Sequence, residues 1–135
     1  CEGRGIEVPG ARRKLLAALA EPGSPVVVLD APTTREGRSI PARVLGLDVE
    51  FNPEGPELMA AGGAKCVHYW LELDADGERV LRCSDISQPQ TAEQLVSEFT
   101  GFMSSVLASD SAKWRLWHVA DQFFRVERES AAGQA

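Results

Sequence analysis

Two carboxylates, Asp48 and Glu50, stand two residues apart in the apolar stretch VLGLDVEF at residues 44–51. If this stretch is a β-strand, alternate side chains share a face, and the two carboxylates lie side by side about 6–7 Å apart. Like charges at that spacing on a half-buried strand repel each other and need compensation. A divalent cation with oxygen preference, a basic partner or a raised pKa could supply it.

The rest of the chain is predicted to form the elements that position this pair. The opposite face of the strand is wholly apolar, which indicates a central position in a sheet. Periodicity, turn residues and a capping box predict the other elements. They are a helix at residues 9–21, strands at 26–29, 66–73 and 79–83, a helix at 91–107, a strand at 114–119 and a helix at 121–128. For the last two elements, one continuous helix is also consistent with the pattern.

The order of these elements from residue 44 onward is β-β-β-α-β-α, which predicts an α/β fold with a mixed sheet of the α+β kind. A right-handed crossover would put the fourth strand beside the first. Asp121, at the end of that fourth strand, would then lie near Asp48 and Glu50. Residues 1–25 are interpreted as a lead-in with a helix, residues 26–128 as the domain, and residues 129–135 as a tail.

Composition limits the classes of function. The chain has 135 residues, 44% hydrophobic and 25% charged, as expected for one globular domain. No apolar run is long enough to cross a membrane, so no membrane partner is expected. The formal net charge of −6 disfavours a basic nucleic-acid surface but permits an acidic site neutralised by metal. Three widely spaced cysteines favour an intracellular, reducing setting.

The residues of the carboxylate strand resemble the first motif of a known enzyme family. An apolar strand with a Gly, then Asp48-Val49-Glu50 and the aromatic Phe51, is similar to the pattern of DEDD-type 3′–5′ exonucleases, in particular the Werner-type exonuclease domain. Residues 26–30 resemble the strand before that motif, and residues 112–124 resemble the second motif, which contains Asp121. The resemblance covers residues 26–128 and implies a ribonuclease H-like fold preceded by an N-terminal helix and an extra strand.

This resemblance implies metal-dependent hydrolysis of terminal phosphodiesters in DNA or RNA. Two ions of Mg²⁺ or Mn²⁺, about 4 Å apart, would be held by carboxylates. Asp48 would bridge both ions, Glu50 would hold one and orient the attacking water, and Asp121 would hold the other. The residues implied near the terminal nucleotide are Phe51, Asn52 and His118.

The chain departs from the family pattern in its second and third motifs. The second motif has fewer residues before Asp121 than the family commonly has, and the third, a Tyr or His ahead of a last Asp, is absent. We therefore expect a truncated or degenerate domain, lacking the C-terminal part of the fold, with weak or no activity of its own. One alternative is a non-catalytic α/β domain that binds nucleic acid or a protein partner. Another is an unrelated small α+β protein whose carboxylates meet a basic partner.

Several of these residues also permit simpler interpretations. Asp121 could cap the last helix, and His118 could be a structural residue. Cys66, His68 and Cys83 fall on neighbouring predicted strands and could begin a zinc site, although no fourth ligand is evident. A cross-strand disulfide between the two cysteines is the alternative for that group.

Overall fold

The computed structural model describes residues 11–21, 25–29 and 37–114, together with Ala120 and Phe124. These residues form a mixed α/β protein, which confirms the predicted class. The elements in chain order are α1 (Ala11–Ala20), β1 (Ile40–Val44), β2 (Leu47–Phe51), α2 (Glu54–Ala61), β3 (Tyr69–Leu73), β4 (Arg79–Cys83) and α3 (Ala92–Ser109), followed by a 3-10 turn at Ser111–Lys113. The four described strands make two separate antiparallel hairpins, β1–β2 and β3–β4, where one mixed sheet is predicted.

The first hairpin corrects the prediction of a single strand at residues 44–51. Leu45 and Gly46 have φ values of 52° and 80° and turn the chain between β1 and β2. Two-residue hairpin turns of the I′ type require positive φ at both positions, which favours glycine at the second. The sequence pattern does not reveal β1, which pairs Ile40 with Phe51 and Val44 with Leu47.

The core lies between the first hairpin and α3. Its buried side chains are Ile40, Val44, Val49, Phe51, Ala92, Val96, Met103, Leu107, Trp114 and Phe124. The rings of Phe51 and Phe99 meet edge to face with centroids 5.8 Å apart. This geometry is a favourable arrangement for an aromatic pair and fixes the end of β2 on the helix.

The edge of β2 that faces away from β1 is met by a residue from the C-terminal part of the chain. Phe124 forms an isolated antiparallel bridge with Val49, and its backbone N–H also donates to the Ala120 carbonyl at 2.8 Å, as in a helical turn; the rest of the predicted helix at residues 121–128 lies outside the described residues. The Phe124 ring also packs edge to face on Trp114, with centroids 5.5 Å apart. The predicted strand at 114–119 lies outside the described residues except for Trp114, which is extended but belongs to no strand.

The long helix α3 confirms the prediction at residues 91–107. The Thr91 hydroxyl accepts a hydrogen bond from the Gln94 backbone N–H at 3.1 Å, as an N-cap residue does. The Gln94 side chain in turn accepts from the Gln90 backbone N–H at 2.9 Å. The buried face of the helix carries Ala92, Leu95, Val96, Thr100, Met103, Val106 and Leu107. The apolar face that the helical period predicts is therefore the face that covers the core.

Two further elements differ from the prediction. The sequence predicts a turn and a small-residue loop where the structure has helix α2. The prediction follows from Pro53 and Pro56, because prolines usually interrupt helices. Prolines are tolerated at the N-terminus of a helix, where the first N–H groups have no intrahelical partner. Residues 25–29, predicted as a strand, have no strand pairing within the described chain, and Val26 and Val28 are exposed. Helix α1 lies within the predicted range of 9–21.

The second hairpin confirms the predicted β3 and β4, although β3 begins at Tyr69 and not at Cys66. Asp74 accepts hydrogen bonds from the backbone N–H groups of Asp76 and Glu78 at 2.9 and 2.8 Å, which builds the predicted turn. Beyond the other end of the ladder, Cys66 bridges Ser87 through two backbone hydrogen bonds of 2.8 and 3.0 Å.

The register of the second hairpin shifts by one residue between Tyr69 and Cys66. Tyr69 lies opposite Cys83, whereas Cys66 lies opposite Ser87. The additional residue makes a bulge at positions 85–86, opposite Val67. A bulge adds local twist and ends the regular pairing, so the hairpin is bounded at this end.

Candidate functional site

The predicted pair Asp48 and Glu50 does lie on β2, two residues apart on the side that faces away from the core. Asp48 is opposite Arg43 on β1, and the Arg43 guanidinium Nε donates to its carboxylate at 2.7 Å. Both side chains of this pair are well exposed, at 71% and 60%. The compensating charge that the sequence demands is therefore supplied from the neighbouring strand of the same hairpin.

Glu50 is half-buried and has a different environment. The Ser39 hydroxyl donates to its Oε1 at 2.9 Å, and the residue opposite Glu50 on β1 is Pro41. The Arg43 guanidinium therefore contacts Asp48, and the Ser39 hydroxyl contacts Glu50. The structure keeps them on one side of the strand without directing both at a shared position.

The residues predicted near a nucleotide have other surroundings. Phe51 is 2% exposed and packs in the core against Phe99. The Asn52 side chain accepts from the Glu54 backbone N–H at 2.9 Å and so shapes the start of α2. Asp121 and His118 lie outside the described residues. Among the residues that are described, no three His, Cys, Asp or Glu side chains come together as metal ligands, and the implied third ligand, Asp121, is not among them.

The group Cys66, His68 and Cys83 does not assemble as either sequence interpretation requires. Cys66 is buried and Cys83 is exposed, and both are free thiols. Burial raises the pKa of the Cys66 thiol, and the Glu98 carboxylate raises it further. A thiol in this state is a poor nucleophile and a poor metal ligand, because both roles need the thiolate.

His68 sits instead in a cluster with Ser87 and Glu98, under the base of the second hairpin. The Ser87 hydroxyl donates to Glu98 Oε2 at 2.6 Å, and His68 Nε2 is 4.0 Å from the same oxygen. The imidazole lies against the rings of Phe99 and Phe102, at centroid distances of 5.6 and 6.0 Å. Burial lowers the pKa of His68, and the Coulombic effect of Glu98 opposes this in part.

This cluster has the residue types of a hydrolase triad but not its connectivity. A Ser–His–acid triad places the imidazole between the hydroxyl and the carboxylate, so that the imidazole can take the hydroxyl proton. Here the carboxylate of Glu98 lies between Ser87 and His68. The cluster therefore attaches the hairpin to α3 and provides no activated nucleophile.

The outer face of the second hairpin is the most unusual surface in the described chain. It consists of five apolar side chains whose exposed fractions range from 44% to 66%: Val67, Tyr69, Leu71, Leu73 and Leu81. Tyr69, Leu71 and Leu73 alternate along β3, and Leu81 lies directly opposite Leu71 on β4. Directly opposed residues of an antiparallel pair point to the same side, so these side chains form one surface.

The inner face of the same hairpin is held by a tryptophan and a network of charges. Trp70 packs against the core. Glu72, whose side chain is 6% exposed, forms ion pairs with Arg82 on β4 and with Lys113, whose Nζ lies at 2.5 Å. Hydrogen bonds from Lys113 and then Arg82 lower the pKa of Glu72, so this carboxylate is ionised at neutral pH. These contacts fix which face of the hairpin is turned toward solvent.

Sequence reasoning finds the shared face of residues 67, 69, 71 and 73 but misses its exposure. The signal for this exposure in the sequence is Glu72. An acidic residue between two leucines places a carboxylate on the opposite face of the strand, and that face needs cationic partners. Lys113, the partner from a distant part of the chain, could not be identified from spacing alone.

Comparison with known proteins adds no relative. No family model, curated protein or solved structure matches this chain. The resemblance to DEDD-type exonucleases therefore rests on the motif residues alone and stays a prediction. No helix in the described part of the chain combines the length and apolar character needed to span a bilayer.

Proposed function

We propose that this chain is a non-catalytic α/β domain that binds a protein partner through the outer face of its second hairpin. The observation that carries the proposal is the exposure of five neighbouring apolar side chains on a hairpin whose other face buries a carboxylate. Exposed apolar groups of this kind give up the stabilisation that burial provides. A partner that covers them would recover it.

The size of the outer face supports this proposal. Five side chains of this size, each about half exposed, present on the order of 500 Å² of mainly apolar surface. That area lies toward the upper end of the largest patches found on ordinary monomers, and such patches are often functional. Single exposed leucines need no explanation, but a contiguous set on one strand pair does.

The test compares substitutions of leucines that are about half exposed in the two hairpins. Leu71→Asp combined with Leu81→Asp places charge on the outer face, whereas Leu47→Asp on β2, at 48% exposure, is the matched control. Proteins that co-purify with the tagged chain would be quantified by mass spectrometry for wild type and both variants. We expect a partner that is lost with the double variant and retained with Leu47→Asp. Identical co-purifying sets for all three proteins, together with no self-association through the outer face, would contradict the proposal.

The second candidate is the exonuclease-like domain of ribonuclease H-like fold. The observation that favours it is the placement of Asp48 and Glu50 on one side of β2. Metal binding there would require Asp48 to release Arg43, and the third ligand would have to be Asp121. Calorimetric titration with Mn²⁺ of wild type and of Asp48→Ala separates the candidates. Saturable binding that disappears in Asp48→Ala would favour the exonuclease-like domain, and absence of binding is expected for the non-catalytic domain.

A further inference from the structure

We infer that the partner of the outer face is a second copy of this chain, stacked face to face about a two-fold axis that passes near Leu71 and Leu81. This inference rests on the proposed function and names its partner. In a two-fold interface the same patch is used on both subunits, so the patch must complement itself. The outer face meets that condition in its apolar centre and in its charged ends.

The apolar centre has the area that a specific but weak dimer needs. Two outer faces of about 500 Å² each would bury on the order of 1,000 Å² in total, which is near the lower limit for specific interfaces. Leu71 and Leu81 lie opposite each other in the middle of the hairpin, so a two-fold axis there stacks leucine on leucine. The acidic net charge of −6 on each copy opposes association, which is consistent with a weak dimer.

The charged ends of the outer face complement each other under the same axis. Arg79 lies at the turn end of β4, two residues from Leu81, and Asp85 lies at the opposite end, four residues from Leu81. Both are exposed, and neither takes part in an ion pair with another residue in the described part of the chain. A two-fold axis across the strands at Leu81 exchanges the two ends, so Arg79 of each copy lies over position 83 of the other, from which its long side chain can reach toward Asp85.

A second set of complementary charges lies at the two ends of the stacked hairpins. Lys65 precedes Val67 at the open end of the hairpin, while Asp74, Asp76 and Glu78 crowd the turn at the other end. Exchange of the ends brings the lysine of one copy toward the acidic turn of its partner. A two-fold axis parallel to the strands would instead place turn against turn and repel, so the charges select the axis that runs across the strands near Leu71 and Leu81.

The test measures self-association by sedimentation equilibrium over a range of concentrations. Wild type is expected to dimerise with a dissociation constant on the order of micromolar to millimolar. The combined Leu71→Asp and Leu81→Asp variant is expected to stay monomeric, and Leu47→Asp to dimerise like wild type. Circular dichroism and thermal unfolding would verify that each variant is folded.

Charge reversal provides the sharper arm of this test. Arg79→Asp and Asp85→Arg each set like charges against each other twice per dimer, and each should weaken dimerisation about tenfold. The double reversal restores opposite charges and should return the dissociation constant to near the wild-type value. A double reversal as weak as the single variants would overturn the two-fold pairing.

Failure of this inference is distinguishable from failure of the proposed function. A chain that is monomeric at every concentration, but still loses a co-purifying protein in the Leu71→Asp and Leu81→Asp variant, overturns the dimer and leaves the binding function intact. A monomer with no such loss overturns both. A dimer that the double leucine variant does not disturb overturns the assignment of the interface to the outer face.

Discussion

The two hairpins of this chain have equal strand lengths and the same antiparallel pairing, yet they bury opposite kinds of face. The β1–β2 hairpin packs its apolar side on α3 and leaves the pair Arg43 and Asp48 in solvent. The β3–β4 hairpin buries the side that carries Trp70 and Glu72 and leaves its leucines exposed. Only the first follows the ordinary rule that the apolar face of a sheet lies inward.

The difference shows that alternation identifies which side chains share a face but not which face is covered. In the second hairpin the choice is made by contacts from elsewhere, namely Lys113 on Glu72 and the core around Trp70. A chain that buries a carboxylate and exposes leucines gives up stability that the reverse arrangement would provide. We interpret this loss of stability as a sign that the exposed leucines serve binding.

The largest expected effect contrasts aromatic residues in the two hairpins. Phe51→Ala should lower the free energy of unfolding by about 3–5 kcal/mol, because it opens a cavity in the core. Tyr69→Ala should lower it by less than about 1 kcal/mol in the monomer, because only cross-strand contacts are lost. Urea unfolding of both variants at low concentration checks this. Equal losses would mean that the outer face is covered within the monomer.

The next prediction concerns the pH dependence of the second hairpin. Because burial lowers the pKa of His68 below its usual 6.5, the unfolded chain takes up this proton more readily than the folded chain. The contribution to stability is complete above pH 6.5 and is lost as pH falls from that value toward the folded-state pKa. His68→Phe keeps the ring contacts with Phe99 and Phe102 and should remove this part of the dependence.

Unfolding free energies at about pH 7.5 and about pH 5.5 would measure it. His118→Phe is the control, since His118 is the other of the two histidines in the chain and, among the described residues, this cluster contains His68. An unchanged pH slope in His68→Phe would contradict the assignment. The first hairpin contains no histidine, so the expected slope belongs to the second hairpin.

The turns of the two hairpins also differ. Asp74 hydrogen-bonds the second turn, whereas Leu45 holds a left-handed conformation in the first, which costs about 1 kcal/mol for a residue with a Cβ. Leu45→Asn should raise the free energy of unfolding by about 0.5–1 kcal/mol, because Asn-Gly suits this turn. Thermal unfolding measures the change, and Leu47→Asn is the exposed control that should bring no gain. A loss of stability in Leu45→Asn would show that the contacts of the leucine side chain contribute more to the free energy of unfolding than the strain of its left-handed backbone removes.

The smallest effect is expected at the exposed ion pair of the first hairpin. Asp48→Asn should cost less than about 0.5 kcal/mol, and the loss should disappear in concentrated salt. Glu72→Gln in the second hairpin should cost more and persist in salt, because Glu72 is almost fully buried between two cations. Denaturant unfolding with and without salt compares them. A large loss in Asp48→Asn would point to a role beyond the pair with Arg43.

Local patterns were sufficient for part of this fold. The helical period and the Thr91 cap predict α3, and the Asp74 turn with its flanking alternation predicts β3 and β4. The first hairpin was missed because a leucine occupies a left-handed turn position, where glycine or asparagine is the usual residue. Helix α2 was missed because its prolines resemble a loop. The partners that set the candidate site, Arg43 for Asp48 and Lys113 for Glu72, depend on tertiary placement that no spacing reveals.

The bridge between Val49 and Phe124 has a consequence for the order of folding. Both hairpins and α3 close through contacts between residues near in sequence, and such elements form within microseconds. The bridge joins residues far apart in the chain, so the loop that it closes carries a larger entropy loss. We therefore expect each hairpin and α3 to form early, and the long-range contacts, among them the bridge of the C-terminal segment to β2, to form last.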